Sequence, residues 1–238
     1  IRGLLYTKNV LTRTAKFGIV AALWFQAGPV LEGRRNPFIA REGVPFLIVA
    51  AVAFVLALRY LDIAIAIAAA LLCFVFILVF RDPRRSIPAS PLGVVSPVDG
   101  QVVDIDLADK GVFHGEAHRI HIRIDSFGTY TARAPVEGKI MDLRSVDADQ
   151  TVDYETNALW LQTDEGDDVV LQFRGYRLGL APKSFVRFGE RVGQGQRCAY
   201  LRLTRFAELH LPIASTVLVK PGQVVTAGSD LIGKVPHP

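Results

Sequence analysis

Cysteine is scarce in this chain, with two in 238 residues. Cys73 falls in a long apolar run and Cys198 in a segment patterned as a strand, so a disulfide between them is not expected. Neither has a second Cys or a His at ligand spacing, which leaves no zinc or redox motif and fits a reducing compartment. Acid is scarce at the start: residues 1–41 hold Glu32 alone against Arg2, Lys8, Arg13, Lys16, Arg34, Arg35 and Arg41. No patch interleaves basic and aromatic residues, and the remainder of the chain is slightly acidic, so nucleic acid is not an expected partner. A secretory cleavage pattern is missing as well, and because the chain opens on Ile1 rather than Met, residues upstream of it are expected.

What the chain has in plenty is apolar residues, half of the total. From Val44 to Phe80 only Arg59 and Asp62 carry charge. The interval is too long for one membrane span and suits two short ones, with Arg59-Tyr60-Leu61-Asp62 as the turn at the far water interface. Neither half carries a polar stripe, as a helix at the surface of a soluble protein would. Basic residues flank both outer ends, Arg34, Arg35 and Arg41 before and Arg81, Arg84 and Arg85 after. This places both ends on the cytoplasmic side of a membrane, against anionic lipid. The apolar segment 17–31 is short for a span. It suits an interfacial helix, a third span continued from upstream or a segment packed on a partner, and the interfacial or partner-binding reading is preferred.

Residues 81–92 form a proline-rich tether. Pro83, Pro88, Pro91 and Pro97 each remove a backbone donor and bias the preceding residue away from helix, so no helix continues out of the hairpin. From residue 93 the period becomes two. In His118–Asp125 isoleucines alternate with Arg119, His121 and Arg123, the pattern of a half-buried strand. A near-repeat follows: Pro97-Val-Asp-Gly-Gln-Val-Val-Asp-Ile105 matches Pro135-Val-Glu-Gly-Lys-Ile-Met-Asp-Leu143, and Phe188–Gly195 matches Pro221–Gly228. Short strands separated by glycine turns predict a compact β barrel or sandwich over 93–238. The expected protein is therefore membrane-anchored and mainly β: a basic extension (1–41), a helical hairpin (42–80), a tether (81–92) and a β domain.

Several stretches together resemble the short bacterial and archaeal type of phosphatidylserine decarboxylase. They are Glu42-Gly-Val-Pro-Phe46, the apolar hairpin, Phe80-Arg-Asp-Pro-Arg-Arg-Ser-Ile-Pro88, Val95-Ser-Pro-Val-Asp-Gly100 and Arg133-Ala-Pro-Val-Glu-Gly-Lys-Ile140. The resemblance runs collinearly from about Glu42 to the C-terminus and leaves 1–41 outside. It implies a chain that cleaves itself before a serine activated by an Asp-His pair. That serine becomes a pyruvoyl group, which holds the substrate amine as a Schiff base while CO₂ leaves.

Of the three residues this chemistry requires, the chain keeps one. Asp99 occupies the aspartate position of S-P-V-D-G. Anchored on Arg133-Ala-Pro-Val, the histidine position is Tyr130, and a phenol with a pKa near 10 is a poor base at neutral pH. Anchored on Leu211-Pro212, the nucleophile is Arg205 behind Thr204, and arginine cannot become pyruvoyl. Ala214-Ser215-Thr216-Val217 imitates the cleavage motif of longer family members. No base is evident for Ser215, which reads as an ordinary strand residue. Asp99 itself opens a glycine turn, where bonding to its own backbone explains it without catalysis. His114, His118 and His121 with Glu116 do not suggest a metal site, because Arg119 and Arg123 share the His121 face. Asp164-Glu-Gly-Asp-Asp168 reads as a charged hairpin turn.

The expected protein is a non-catalytic relative that needs no cofactor and meets membrane lipid. It serves as a structural or assembly subunit of a larger membrane complex through 1–41 and the hairpin. The alternatives are an active pyruvoyl-dependent decarboxylase and a lipid-binding regulator without turnover.

Overall fold

The computed structural model describes residues 38–90, 92–108, 116–142, 157–176, 178 and 180–236. The expectations for segment 17–31 and for His114 fall outside them. A single 3₁₀ turn, Arg41–Gly43, leads into helix α1 (Val44–Tyr60), and α2 follows (Ile63–Val79). Pro45 sits in the first turn of α1, where its missing N–H costs no hydrogen bond. The chain is extended at Leu61 and Asp62, so the helices part where the charged turn was expected. The buried positions on both are alanines (Ala50, Ala57 and Ala66), small enough for close helix approach. Ile48, Val49, Val52, Val55 and Ile67 stay exposed. By length and composition the run Arg41–Tyr60, 20 residues, can cross a membrane, whereas Ile63–Val79 falls short of that length.

Fourteen strands follow among the described residues: β1 (Gly93–Val95), β2 (Gly100–Ala108), β3 (Ala117–Ile124), β4 (Thr131–Arg133), β5 (Gly138–Asp142), β6 (Asn157–Gln162) and β7 (Asp168–Arg174). Then come β8 (Lys183–Ser184), β9 (Arg191–Val192), β10 (Arg197–Tyr200), β11 (Phe206–Pro212), β12 (Thr216–Val217), β13 (Val224–Val225) and β14 (Leu231–Lys234). They form an eight-stranded antiparallel sheet, β13-β2-β3-β11-β7-β6-β5-β9, and two three-stranded sheets, β1-β14-β12 and β4-β10-β8. Of the barrel or sandwich expected, no closed barrel forms, because β13 and β9 end the large sheet without pairing to each other.

That strand order is a palindrome in the sequence repeat. Each Pro-x-acid-Gly copy opens a long strand, β2 or β5, and each matched glycine-turn segment supplies the edge strand beside it, β13 or β9. The halves meet reciprocally, Val95 N–H donating to Pro135 O (2.9 Å) and Arg133 N–H to Pro97 O (2.8 Å). The repeat is thus a local twofold that places Asp99 and its counterpart Glu137 at opposite ends of the sheet. Between the sheets Val98, Ile120, Ile122, Ile140, Leu161, Leu171, Phe173, Leu209 and Ile232 pack into one core. The expected alternation of β3 holds, with Ile120 and Ile122 buried and Arg123 exposed on the other face. The acidic turn also forms where expected, between β6 and β7, with Gly166 at φ 93°.

Candidate functional site

The base of the hairpin closes first. Ala40 N–H donates to Phe80 O (2.8 Å) and Asp82 N–H to Phe38 O (2.7 Å). Gly43 lies so close under the Phe80 ring that any Cβ there would overlap it. Phe80 stacks on Phe46 (5.6 Å) and meets the edge of Tyr130 (4.8 Å).

Asp82 then enters the β domain. It is wholly buried, with Arg133 (2% exposed) and Arg197 (4%) on either side. Arg197 Nε lies 2.6 Å from Oδ2 and Arg133 Nη2 3.2 Å from Oδ1, and Thr131 Oγ1 donates to Oδ2 at 2.5 Å. Burial pulls both guanidinium pKa values down while the carboxylate between them pulls back. Arg133 also holds Pro83 O and Gly195 O, both at 3.0 Å. Within a run of charges that reads as a solvated tether, this one carboxylate is a buried key.

Asp99, Tyr130 and Arg205 come together at the end of the large sheet nearest this base. Gly100 pairs with Ile124, whose N–H donates to Arg205 O (2.8 Å), and Asp125 N–H donates to Asp99 O (2.9 Å). The Asp99 carboxylate accepts from Thr129 N–H (2.9 Å), Ala227 N–H (2.7 Å) and Arg85 Nη2 (2.8 Å). These partners correct the expectation of a self-bonded turn, since they come from two other loops and the tether. The approach also explains Gly128, where a Cβ would stand 2.7 Å from Asp99 Cβ.

Tyr130 points elsewhere. Its phenol donates to Glu42 Oε2 (3.0 Å), and Arg202 Nη2 holds Glu42 Oε1 (2.9 Å). Burial first, then the charge of Glu42, raises the phenol pKa well above 10, the reverse of what a base at neutral pH needs. Arg205 is exposed. Ser215 lies in the turn after β11, at the other end of that strand. The register puts it on the order of 20 Å from Arg205 at ~3.4 Å per residue. Its buried Oγ has no hydrogen-bond partner. Burial pushes the Cys198 thiol up to about 12, so it offers no thiolate either. A recess of about 360 Å³ between tether residues Pro88–Ser90 and Glu137, Asp164 and Gln194 lies at the far end and does not reach Asp99, Tyr130 or Arg205.

His118 reaches Ile213 O (3.1 Å) and Glu116 is exposed. His121 lies across from Glu208, packed on the Phe206 ring. Among the described residues no three His, Cys, Asp or Glu side chains converge on a metal position.

Sequence reasoning missed Glu42, Asp82, Arg133, Arg197 and Arg202 as partners of this region. The first three sat inside the quoted motifs, so their motif membership was the signal. Arg202 opened the stretch that anchors Arg205, Arg197 carried no signal, and Arg202 holds its position at φ 52°.

An apolar hairpin keyed by a buried carboxylate to an antiparallel β domain, with three candidate positions at the junction, defines a hairpin-borne β protein. More particularly, the chain belongs to the phosphatidylserine decarboxylase family. The profile of that family, described as phosphatidylserine decarboxylase, matches residues 72–233. Similar relatives include the phosphatidylserine decarboxylase proenzymes of Burkholderia cenocepacia (strain HI2424), Burkholderia multivorans (strain ATCC 17616 / 249) and Burkholderia vietnamiensis (strain G4 / LMG 22486). Each is 31% identical over 210 residues, covering 84% of this chain and 97% of the relative. Among solved structures, glucose permease IIA from Mycoplasma capricolum aligns with a TM-score of 0.41 and 22% identity, over 60% of this chain and 94% of that one. The family resemblance implies a pyruvoyl group, and the position it gives the nucleophile holds the exposed Arg205 behind Thr204.

Proposed function

We propose that this chain is a membrane-held member of the family that meets phospholipid without forming a pyruvoyl group and without turnover. The observation that carries this reading is the exposed Arg205 at the nucleophile position, with the Tyr130 phenol turned away to Glu42. In this reading the hairpin lies in a bacterial inner membrane with the β domain on its cytoplasmic face. The domain needs no cofactor and has no nucleic-acid partner. An assembly role in a larger complex, through 1–41 and the hairpin, is a finer possibility that the names of the relatives do not favour.

Those names favour a second reading instead, an active decarboxylase of phosphatidylserine, since the likeness covers nearly the whole length of proteins called decarboxylase proenzymes. It requires a nucleophile other than residue 205. Ser215 Oγ makes no hydrogen bond to a base, and the Cys198 thiol stays protonated. The intact denatured mass of the full chain from its own membrane, together with ethanolamine-lipid production from phosphatidylserine vesicles, separates the readings. One uncleaved chain without product supports the first. Two fragments with a blocked new terminus, and product, overturn it.

A further inference from the structure

The loops that touch the hairpin base carry bare apolar tips. Arg81 Nη2 donates to Phe127 O (3.3 Å), and Arg202, which holds Glu42, also holds Ala181 O (3.3 Å). Beside these anchor points stand Phe127 (68% exposed), Leu203 (43%), Leu180 (42%) and Phe38 (59%). Phe127, Leu203 and Phe38 each lie within one residue of a hydrogen bond to residues 38–43 or 80–82, and Leu180 adjoins Ala181, which Arg202 holds, so they sit near the level where the apolar helices begin. Leaving such side chains in water forgoes the gain of removing their apolar surface from it. Cations ring them. Arg41, Lys183 and Arg205 are exposed and Arg81 half-buried, against the exposed carboxylate of Asp125. Glu42 and Asp99 are already held by Arg202 and Arg85.

We infer that this rim seats on the headgroup layer of an anionic phospholipid bilayer. Phe127 and Leu203 enter the interface, and Lys183 and Arg205 meet phosphate. Two observations choose a bilayer over a protein partner: the rim continues the exposed apolar surface of the helices, and its charge is positive where the inner leaflet is negative. The inference rests on the membrane attachment proposed above and not on whether the chain turns substrate over. An internal control exists. Phe188 is 71% exposed, but Gly189 N–H donates to Ile140 O beside Lys139, which the register puts at the opposite end of the large sheet.

The test is amide hydrogen exchange on the full chain in lipid nanodiscs, with phosphatidylcholine alone or mixed with phosphatidylglycerol. Seating predicts that amides 126–128 and 202–205 exchange about tenfold more slowly in the anionic discs, while 187–190 do not change. The double variant Phe127→Ser/Leu203→Ser should lose that slowing and Phe188→Ser should keep it. Equal rates at 126–128 in both lipids overturn the inference, as does slowing that arises only when a membrane-protein fraction is added. A chain found cleaved and active would defeat the proposed function and leave this result standing.

Discussion

The phenol of Tyr130 and the carboxylate of Glu42 meet at 3.0 Å across 88 residues, joining the β domain to the first turn of the hairpin. Where the family resemblance calls for a base, the chain has a fastener. Tyr130→Phe removes one hydrogen bond to a charged group and leaves the Arg202 pair, so the expected loss is about 1–2 kcal/mol. Thermal unfolding of the full chain measures it, and Arg202→Gln, which strips Glu42 of its cation, should cost more.

Asp82 lies wholly buried between two guanidiniums. Asp82→Asn leaves Arg133 and Arg197 buried without a counter-charge, a loss on the order of 3–5 kcal/mol. The melting point should fall by roughly 10 °C or more. Arg85→Gln, at a partly buried pair whose Asp99 keeps two backbone N–H donors, should cost less. Equal effects of the two substitutions would contradict the burial described for Asp82.

Restoring a hydroxyl at the nucleophile position should not restore cleavage. Arg205→Ser is expected to give a single chain of intact mass, because Tyr130 at the base position keeps its proton and bonds Glu42. Ser215→Ala should also leave the mass that of one uncleaved chain. Its melting point should stay within about 2 °C, since an Oγ without a partner contributes no bond to lose.

Acid should unfold the β domain through Glu208. Burial raises its pKa, but His210 and Arg174 beside it outweigh burial, and the net value lies below the ordinary 4.5. A depressed carboxylate contributes stability that is present above the unfolded pKa and lost as pH falls through the folded one. Denaturant midpoints should therefore hold from neutral pH to about 5 and drop below about 4.5. Glu208→Gln should flatten that drop, and an unchanged slope would remove Glu208 as its cause.

The helices, their break at Leu61-Asp62, the β3 alternation and the acidic turn were legible because each is a local pattern. The repeat was legible as well, and the structure adds its meaning as a twofold of strand pairs. Closure of the sheet was not legible, since pairing at β13 and β9 is set by long-range geometry that period and turn residues do not encode. The site divides the same way. Tyr130 and Arg205 could be read from motif anchors alone. The partners of Asp99, by contrast, lie 30 and 128 residues away in backbone N–H groups that carry no sequence signature. Asp82 was legible only as a member of a quoted motif, because a charge flanked by arginines and prolines looks solvated until the fold closes over it.

That buried aspartate also sets a schedule for synthesis. It leaves the ribosome directly behind the hairpin, while Arg133 and Arg197 follow 51 and 115 residues later. The last large step of folding, closing the domain over the carboxylate, must therefore happen wherever the hairpin has already been set down. A cut between Asp82 and Gly93 would separate Arg133 and Arg197 from the carboxylate that answers both, so the tether is the place where the β domain can least tolerate a break.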